Sequence, residues 1–387
     1  MIALPSYFND FLGGIRLKST HIDDLQRGHR TLRNRLAVDE SLAPCIVSTF
    51  LQGSYRRATA VRPKSGKRSD VDVVVVTKLS MSEYPDPDDA MELFVPFMEK
   101  HYTGKYRLQG RSIGIELSYV DLDLVITAAP SESEESILRS QSVTAQETLE
   151  EAADWKLVKS WVSPAQRGTP DSIFKMREAV GEQEWKAAPL WIPNRDRKCW
   201  EQTHPLSQIQ WTQQKNRACN GHYVNVVKAI KWWRRIKHPT PTYPKGYPVE
   251  HLVGACCPNG IASVAEGVTR TLEKIDSEYR LYAALKMVPN LPDHGVGEHN
   301  VLARVSGADF AEFHGQVCEA AAIARSAYDG TEADVSESVA CWRQLFGDAF
   351  PSAPPDSPDS DDHGGSNGSP GFTPRTQVTE IGRGRFA

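Results

Sequence analysis

Gln52-Gly-Ser-Tyr-Arg-Arg57, then Ser69-Asp-Val-Asp-Val-Val-Val-Val76, then Tyr119-Val-Asp-Leu-Asp-Leu-Val-Ile126: these three stretches decide how the chain is read. The run Val71–Thr77 is nearly all valine, as expected of a strand buried on both faces. Residues two apart on a strand point the same way, so Asp70 and Asp72 present both carboxylates on one face. A carboxylate pair opening a buried strand is costly unless a cation neutralises it. Magnesium suits the place, because it takes a few carboxylates, several waters and substrate phosphates. Asp123, on the later strand Leu122–Thr127, reaches the same ions if that strand lies beside the first. Asp121 is the rival for the third position; its side chain is expected on the opposite face. Two metal ions then align an attacking hydroxyl with a nucleotide α-phosphate and stabilise the departing pyrophosphate.

The loop ahead of these strands fits the same chemistry. Gln52 closes a strand predicted over Cys45–Gln52. Gly53 lets the backbone approach a phosphate, and the Ser54 hydroxyl and nearby N–H groups bind its oxygens. Arg56 and Arg57 follow and are expected to neutralise a triphosphate. An isolated Asp-X-Asp is more often a solvated turn than a metal site. The order Gly-Ser, spacer, Asp-X-Asp on a valine strand, then a third Asp on a later strand is what carries the reading.

Outward from this core, residues 1–45 read as helical, with Leu25, Leu32 and Leu36 on one face. Asp88–His101 reads as a surface helix and Arg111–Leu117 as a further strand. The mixture is that of an α+β catalytic lobe over 1–145. From 146 to 350 the chain is mostly helical: Lys215–Lys237 is one long helix with Val224, Val227, Ile230 and Trp233 or Ile236 at helical spacing. Pro239–Pro248 breaks it, and helices follow over Val249–Cys257, Ser263–Leu285, Asp309–Asp329 and Cys341–Phe346. Ser163–Pro205, rich in Pro and Trp, resists assignment. Of the 20 residues from Pro351 to Pro370, 17 are Pro, Ser, Asp or Gly, so 351–387 is expected to be a disordered tail.

Composition sets wide limits. The 387 residues, 40% hydrophobic and 24% charged, suit a globular chain of two lobes plus a tail. A net charge of −4 argues against a protein that coats long nucleic acid. There is no basic start followed by an apolar core and no run of bilayer length, so a cytoplasmic monomer without membrane contact is expected. The seven cysteines lack the spacing of a disulfide framework. Cys199, His204, Cys219 and His222 have zinc chemistry, but Cys-x4-His followed by Cys-x2-His is not a standard ligand pattern, and whether they bind zinc stays open.

The stretches Gln52–Pro63, Ser69–Val76 and Ser118–Thr127 resemble the nucleotidyltransferase core of the polymerase β superfamily. More narrowly they resemble the bacterial CD-NTases of CBASS anti-phage defence, relatives of animal cyclic GMP–AMP synthase and oligoadenylate synthase. The similarity spans about Phe8–Pro351 and resumes at the terminal Gly-Arg-Phe-Ala. It is strongest to clade D, which implies a cyclic AMP-AMP-GMP or related product made from ATP and GTP. The resemblance implies Asp70, Asp72 and Asp123 as catalytic ligands of two Mg2+ ions. It also implies Lys231, in Ala-Ile-Lys-Trp-Trp, as a triphosphate contact, and Tyr247 as a ring that stacks on the base. Where relatives place Ser before that aromatic residue, this chain has Gly246. A downstream effector that senses the product is implied. So is a ubiquitin-activating-like partner that joins the Ala387 carboxylate to a target. Rival expectations are a transferase adding AMP to RNA, protein or a small molecule, and a catalytically silent nucleic-acid sensor.

Overall fold

The valine run forms β2 (Ser69–Thr77), with β1 (Ile46–Gln52) antiparallel on one edge and β5 (Val120–Thr127) parallel on the other. β4 (Ile113–Glu116) and β3 (Tyr106–Leu108) complete the order β1-β2-β5-β4-β3. The computed structural model describes residues 1–64, 66–128, 189–237, 244–330 and 334–353. Met1–Ala353 form one compact unit and Pro354–Ala387 a second, which lies outside the described residues, as does the expected lobe boundary at 145.

Both faces of β2 are covered, which is why it reads as unbroken valine. Val71, Val73 and Val75 join Leu122 and Leu124 in a core beneath α2 (Ser19–Val38) and α5 (Val95–Tyr102). Leu25, Leu32 and Leu36 of α2 are fully buried there. Gly28 lets the helix lie directly on the sheet, since a Cβ would stand 2.6 Å from Val120 Cγ1. On the other face, Val74, Val76 and Val125 meet Leu190 and Ile192. These belong to a hairpin of β6 (Leu190–Asn194) and β7 (Cys199–Thr203), which the sequence reading leaves unassigned.

Several boundaries differ from expectation. The region 1–45 holds two helices, α1 (Pro5–Ile15) and α2. Only α2 belongs to the sheet. α1 buries Phe8, Phe11, Leu12 and Ile15 in the helical core, where Phe11 stacks on Phe346 at 4.4 Å and Phe8 meets Trp342 edge-on at 5.0 Å. Such aromatic pairs are worth about 0.5–1.5 kcal/mol each beyond their buried area. A short α3 (Gly53–Arg56) follows β1, and the helix expected over Asp88–His101 is split into α4 (Pro87–Glu92) and α5. The strand expected over Arg111–Leu117 is shorter, and Gln109 N bonds Ser112 O to turn the chain between β3 and β4.

The long helix expected over Lys215–Lys237 is two, α6 (Pro205–Ala218) and α7 (Tyr223–Lys237). Asn220 and Gly221, with φ of 53° and 82°, adopt a left-handed backbone that no helix continues through. α7 buries Val224, Val227, Ile230 and Trp233 and leaves Ile236 exposed. α7 ends at Lys237, ahead of the proline segment, as expected, but the next helix begins at Gly246 and takes in Pro248. That proline lies in the first turn of α8 (Gly246–Cys256), where its missing N–H forfeits no bond. α9 (Val264–Ala284), α10 (Gly307–Asp329) and α11 (Val335–Phe346) close the helical core.

Candidate active site

The parallel register of β2 and β5 sets Asp70 beside Asp121 and Asp72 beside Asp123. All four carboxylates therefore share one sheet face, the one opposite the α2 core. The expectation that Asp121 points away is wrong, because Asp121 and Asp123 are themselves two apart. Charge pairing is what separates them. Arg68 Nε lies 2.7 Å from Asp121 Oδ1, so that acid is already neutralised. Asp123 Oδ1 instead accepts from the Ser112 hydroxyl at 3.4 Å.

Three acids are thus left together. Burial, and then the charges of Asp70 and Asp123, push the Asp72 carboxyl up to about 7. Burial and Asp70 raise Asp123 as well. Mutual repulsion of this kind is what a divalent cation relieves, and an all-oxygen donor set suits magnesium. Among the described residues, no three His, Cys, Asp or Glu side chains are drawn into a closed ligand set. The carboxylates share a face without converging on a point.

The loop after β1 packs against this cluster. Gly53 has φ 79°, and a Cβ on it would overlap the Asp72 carboxylate, with Cγ at 2.9 Å. Its close neighbour is therefore an acid of the site. Gln52 pairs with Asp72 across the strands, and Ser54 O accepts from the N–H groups of Thr59 and Ala60, which fixes the turn.

Arg57 departs most from expectation. It lines the cleft but is buried, with Nε 2.7 Å from Glu250 Oε1, so its charge is already paired within the protein. Glu250 also accepts from Thr59 Oγ1 at 2.8 Å and lies 3.7 Å from Lys231 Nζ. Burial alone would raise this carboxyl, but Arg57 and Lys231 overcome it and hold Glu250 at about 2. Burial lowers Lys231 against the pull of Glu250, and its Nζ donates to Thr59 O at 3.0 Å. Sequence reasoning missed Glu250. The available signal was a lone acid in the largely apolar segment Gly246–Cys256.

Tyr247 is half-buried in the cleft wall. Its hydroxyl donates to Asp293, its ring lies 4.4 Å from His251, and the Arg57 guanidinium sits 5.3 Å from its centroid. Gln52, Gly53, Ser54, Asp70, Asp72, Lys231 and Tyr247 all line one cleft of about 870 Å³, large enough for nucleotides. Lys64, Lys67, Arg111, Arg235 and Lys245 line it too. This local basic lining is hidden by a net charge of −4.

The zinc question has a geometric answer. His204 caps the start of α6 and Cys219 follows its end. The 14 residues between them span about 21 Å, so the four side chains do not meet. Cys219 Sγ is instead 4.0 Å from Cys257 Sγ. No helix of the described residues is long and apolar enough to cross a membrane.

Nucleotidyl transfer is the chemistry for which acids on neighbouring parallel strands, beside a basic cleft, are suited, and the protein is a nucleotidyltransferase with a polymerase β-like fold. Residues 2–135 match the Second Messenger Oligonucleotide or Dinucleotide Synthetase domain. The chain is 48% identical to the "Probable cyclic AMP-AMP-GMP nucleotide synthase" of Salmonella paratyphi B, over 99% of this chain and 100% of that one. It is 46% identical to the "Cyclic AMP-AMP-GMP synthase" of Enterobacter hormaechei over the same shares. The fold is also that of Vibrio cholerae DncV cyclic AMP-GMP synthase in complex with nonhydrolyzable GTP. That structure has a TM-score of 0.60 and 12% identity over 90% of this chain and 97% of the other. The chain belongs to the CD-NTase family and synthesises cyclic oligonucleotides. Enzymes of this family depend on metal.

Proposed function

We propose that the protein joins two AMP units and one GMP unit, taken from ATP and GTP, into a cyclic trinucleotide. The observation that supports nucleotidyl transfer is the register that sets Asp72 beside Asp123 while Arg68 neutralises Asp121. Full-length likeness to cyclic AMP-AMP-GMP synthases supports the choice of product. Asp70, Asp72 and Asp123 would hold two magnesium ions, which supply activation of the α-phosphate and of the attacking hydroxyl.

The remaining steps belong to the chain itself. The basic cleft lining draws in triphosphates, Lys231 contacts one of them, and the Tyr247 ring stacks on a base for about 1–3 kcal/mol. Gln52, Gly53 and Ser54 line the cleft beside the acids and contact the phosphates. Cyclisation requires a linear intermediate to turn over and re-enter the cleft. The same reading places the enzyme in the cytoplasm, in anti-phage signalling to a product-sensing effector. It keeps a ubiquitin-activating-like partner that acts on Ala387, on the resemblance of the sequence alone.

Mass spectrometry of the products formed from ATP and GTP with magnesium tests the proposal. The expected product is phosphatase-resistant and has the mass of a cycle of two adenylates and one guanylate. A cyclic dinucleotide, or a linear chain that phosphatase shortens, refutes the product assignment.

A further inference from the structure

Asp293 lies in the segment between α9 and α10 and is surrounded by donors. Its Oδ1 accepts from Gly295 N at 2.6 Å and Val296 N at 3.2 Å, closing a turn of its own segment. Gln208 Nε2, on α6, reaches Oδ1 at 3.0 Å and Oδ2 at 3.3 Å. With one oxygen fixed by its own backbone and both held by Gln208, the remaining direction of Oδ2 is set, and there it takes the Tyr247 hydroxyl. Burial raises this carboxyl while the donors from Tyr247, Gly295 and Gln208 lower it, and the net effect keeps it ionised.

A further constraint on Tyr247 comes from His251, one helical turn later. His251 Nε2 faces His294 N at 3.3 Å, an N–H that only donates, so the ring proton is on Nδ1, which faces Tyr247 O at 3.2 Å. The His251 ring stacks on His294 at 3.9 Å, and His294 stacks on Trp211 at 3.3 Å. Tyr247 is thus the outer end of a packed column that begins at Trp211. The column packs against the ring itself, with His251 4.4 Å away, and the Arg57 guanidinium lies 5.3 Å from the ring centroid. The Asp293 bond adds a directional contact at the far end of the ring, on the hydroxyl.

We propose that Asp293 is a positioning residue that holds the Tyr247 ring in the pose that receives a nucleotide base. The proposal rests on the reading of Tyr247 as the base platform. A bond that organises the ring before the base arrives acts on nucleotide binding and leaves the chemical step alone. Kinetics on the full chain test it, with pyrophosphate release followed at varied ATP and GTP.

Tyr247→Phe keeps the ring and removes only the hydroxyl; it is expected to raise KM about fivefold with kcat within about twofold. In an Asp293→Ala background the same change is expected to have no effect, because the partner is already gone. A Tyr247→Phe enzyme with unchanged KM overturns the proposal, and so does an equal fivefold rise in both backgrounds. If Asp293→Ala fails to fold, Asp293→Ser takes its place in the cycle, and an unchanged KM in Tyr247→Phe alone still overturns the proposal. Tyr247→Ala separates the two ideas. Unchanged KM there removes the base platform itself, whereas raised KM with a silent Tyr247→Phe removes only the role of Asp293.

Discussion

The Asp72 carboxylate occupies the space in which a side chain on Gly53 would stand. A Cβ at Gly53 would meet Asp72 Cγ at 2.9 Å, with Oδ2 closer still, and the φ of 79° adds strain for any other residue. The loop and the acid therefore form one unit, and the place of the carboxylate is set partly from a neighbouring strand end.

Gly53→Ala is accordingly expected to act on catalysis more than on stability. Pyrophosphate release should fall by about 100-fold, the size of effect that an ångström of misplacement produces, while the thermal midpoint drops by only a few degrees. A rate within about twofold of the parent would show that the contact has no consequence.

Glu250→Gln tests the buried ion pair with Arg57. Glu250 is fully buried, and its folded pKa is depressed from 4.5 to about 2. It therefore contributes stability that is present above pH 4.5 and is lost as pH falls towards 2. The size is on the order of 3 kcal/mol, and removal of the charge also leaves Arg57 buried without its anion. Urea unfolding at pH 7 should place the variant about 3 kcal/mol or more below the parent, with the gap narrowing as pH falls below 4. A gap that does not change with pH would mean that some other interaction is being lost.

The strands that carry the acids were legible in the sequence because their physics is local in the chain. Alternation on a strand aligns Asp70 with Asp72, and unbroken valine implies neighbours on both sides. The same rule, applied carefully, also puts Asp121 on the face of Asp123, so that error was one of application. What period and composition do not record is pairing across the fold. Arg57 and Glu250 are 193 positions apart, as are many residues that never meet, and nothing near Arg57 signals that its charge is already taken. The hairpin of β6 and β7 was missed for a related reason. Its half-buried polar residues Glu201, Gln202 and Thr203, and Pro193, obscure the alternation, and its apolar face packs against Val74, Val76 and Val125. The break between α6 and α7 was visible as Asn220-Gly221 and was outweighed by the apolar spacing beyond it.

Lys231→Met should preserve packing, since methionine fills the aliphatic part of the lysine and α7 is buried on that side. Glu250 keeps Arg57 and Thr59 as partners. Stability is expected to stay within about 1 kcal/mol, while loss of a charge-assisted phosphate contact raises KM for nucleotide by about tenfold or more. Unchanged KM would leave Lys231 as a partner of Glu250 and nothing else.

Asp121 and Asp123 provide the sharpest contrast, since they share a strand, a face and a charge. Their partners and their burial differ: Arg68 holds a half-exposed Asp121 at 2.7 Å, and the more buried Asp123 has a hydroxyl at 3.4 Å. An acid with a satisfied cation has little to gain from a metal ion, whereas one raised by burial and by Asp70 has repulsion to lose. Asp123→Asn is therefore expected to lower pyrophosphate release by about 1,000-fold and to raise the magnesium concentration for half-maximal rate, because an amide binds this hard cation poorly. Asp121→Asn should remain within about tenfold and leave the magnesium dependence alone, since it removes only a half-exposed ion pair. Asp70→Asn combined with Asp72→Asn should abolish release in a protein that still unfolds cooperatively. Activity measured across a magnesium titration for all three variants decides the assignment. If Asp121→Asn proves more damaging than Asp123→Asn, or if only Asp121→Asn shifts the magnesium midpoint, then Arg68 is a displaceable counter-ion and Asp121 is the third ligand.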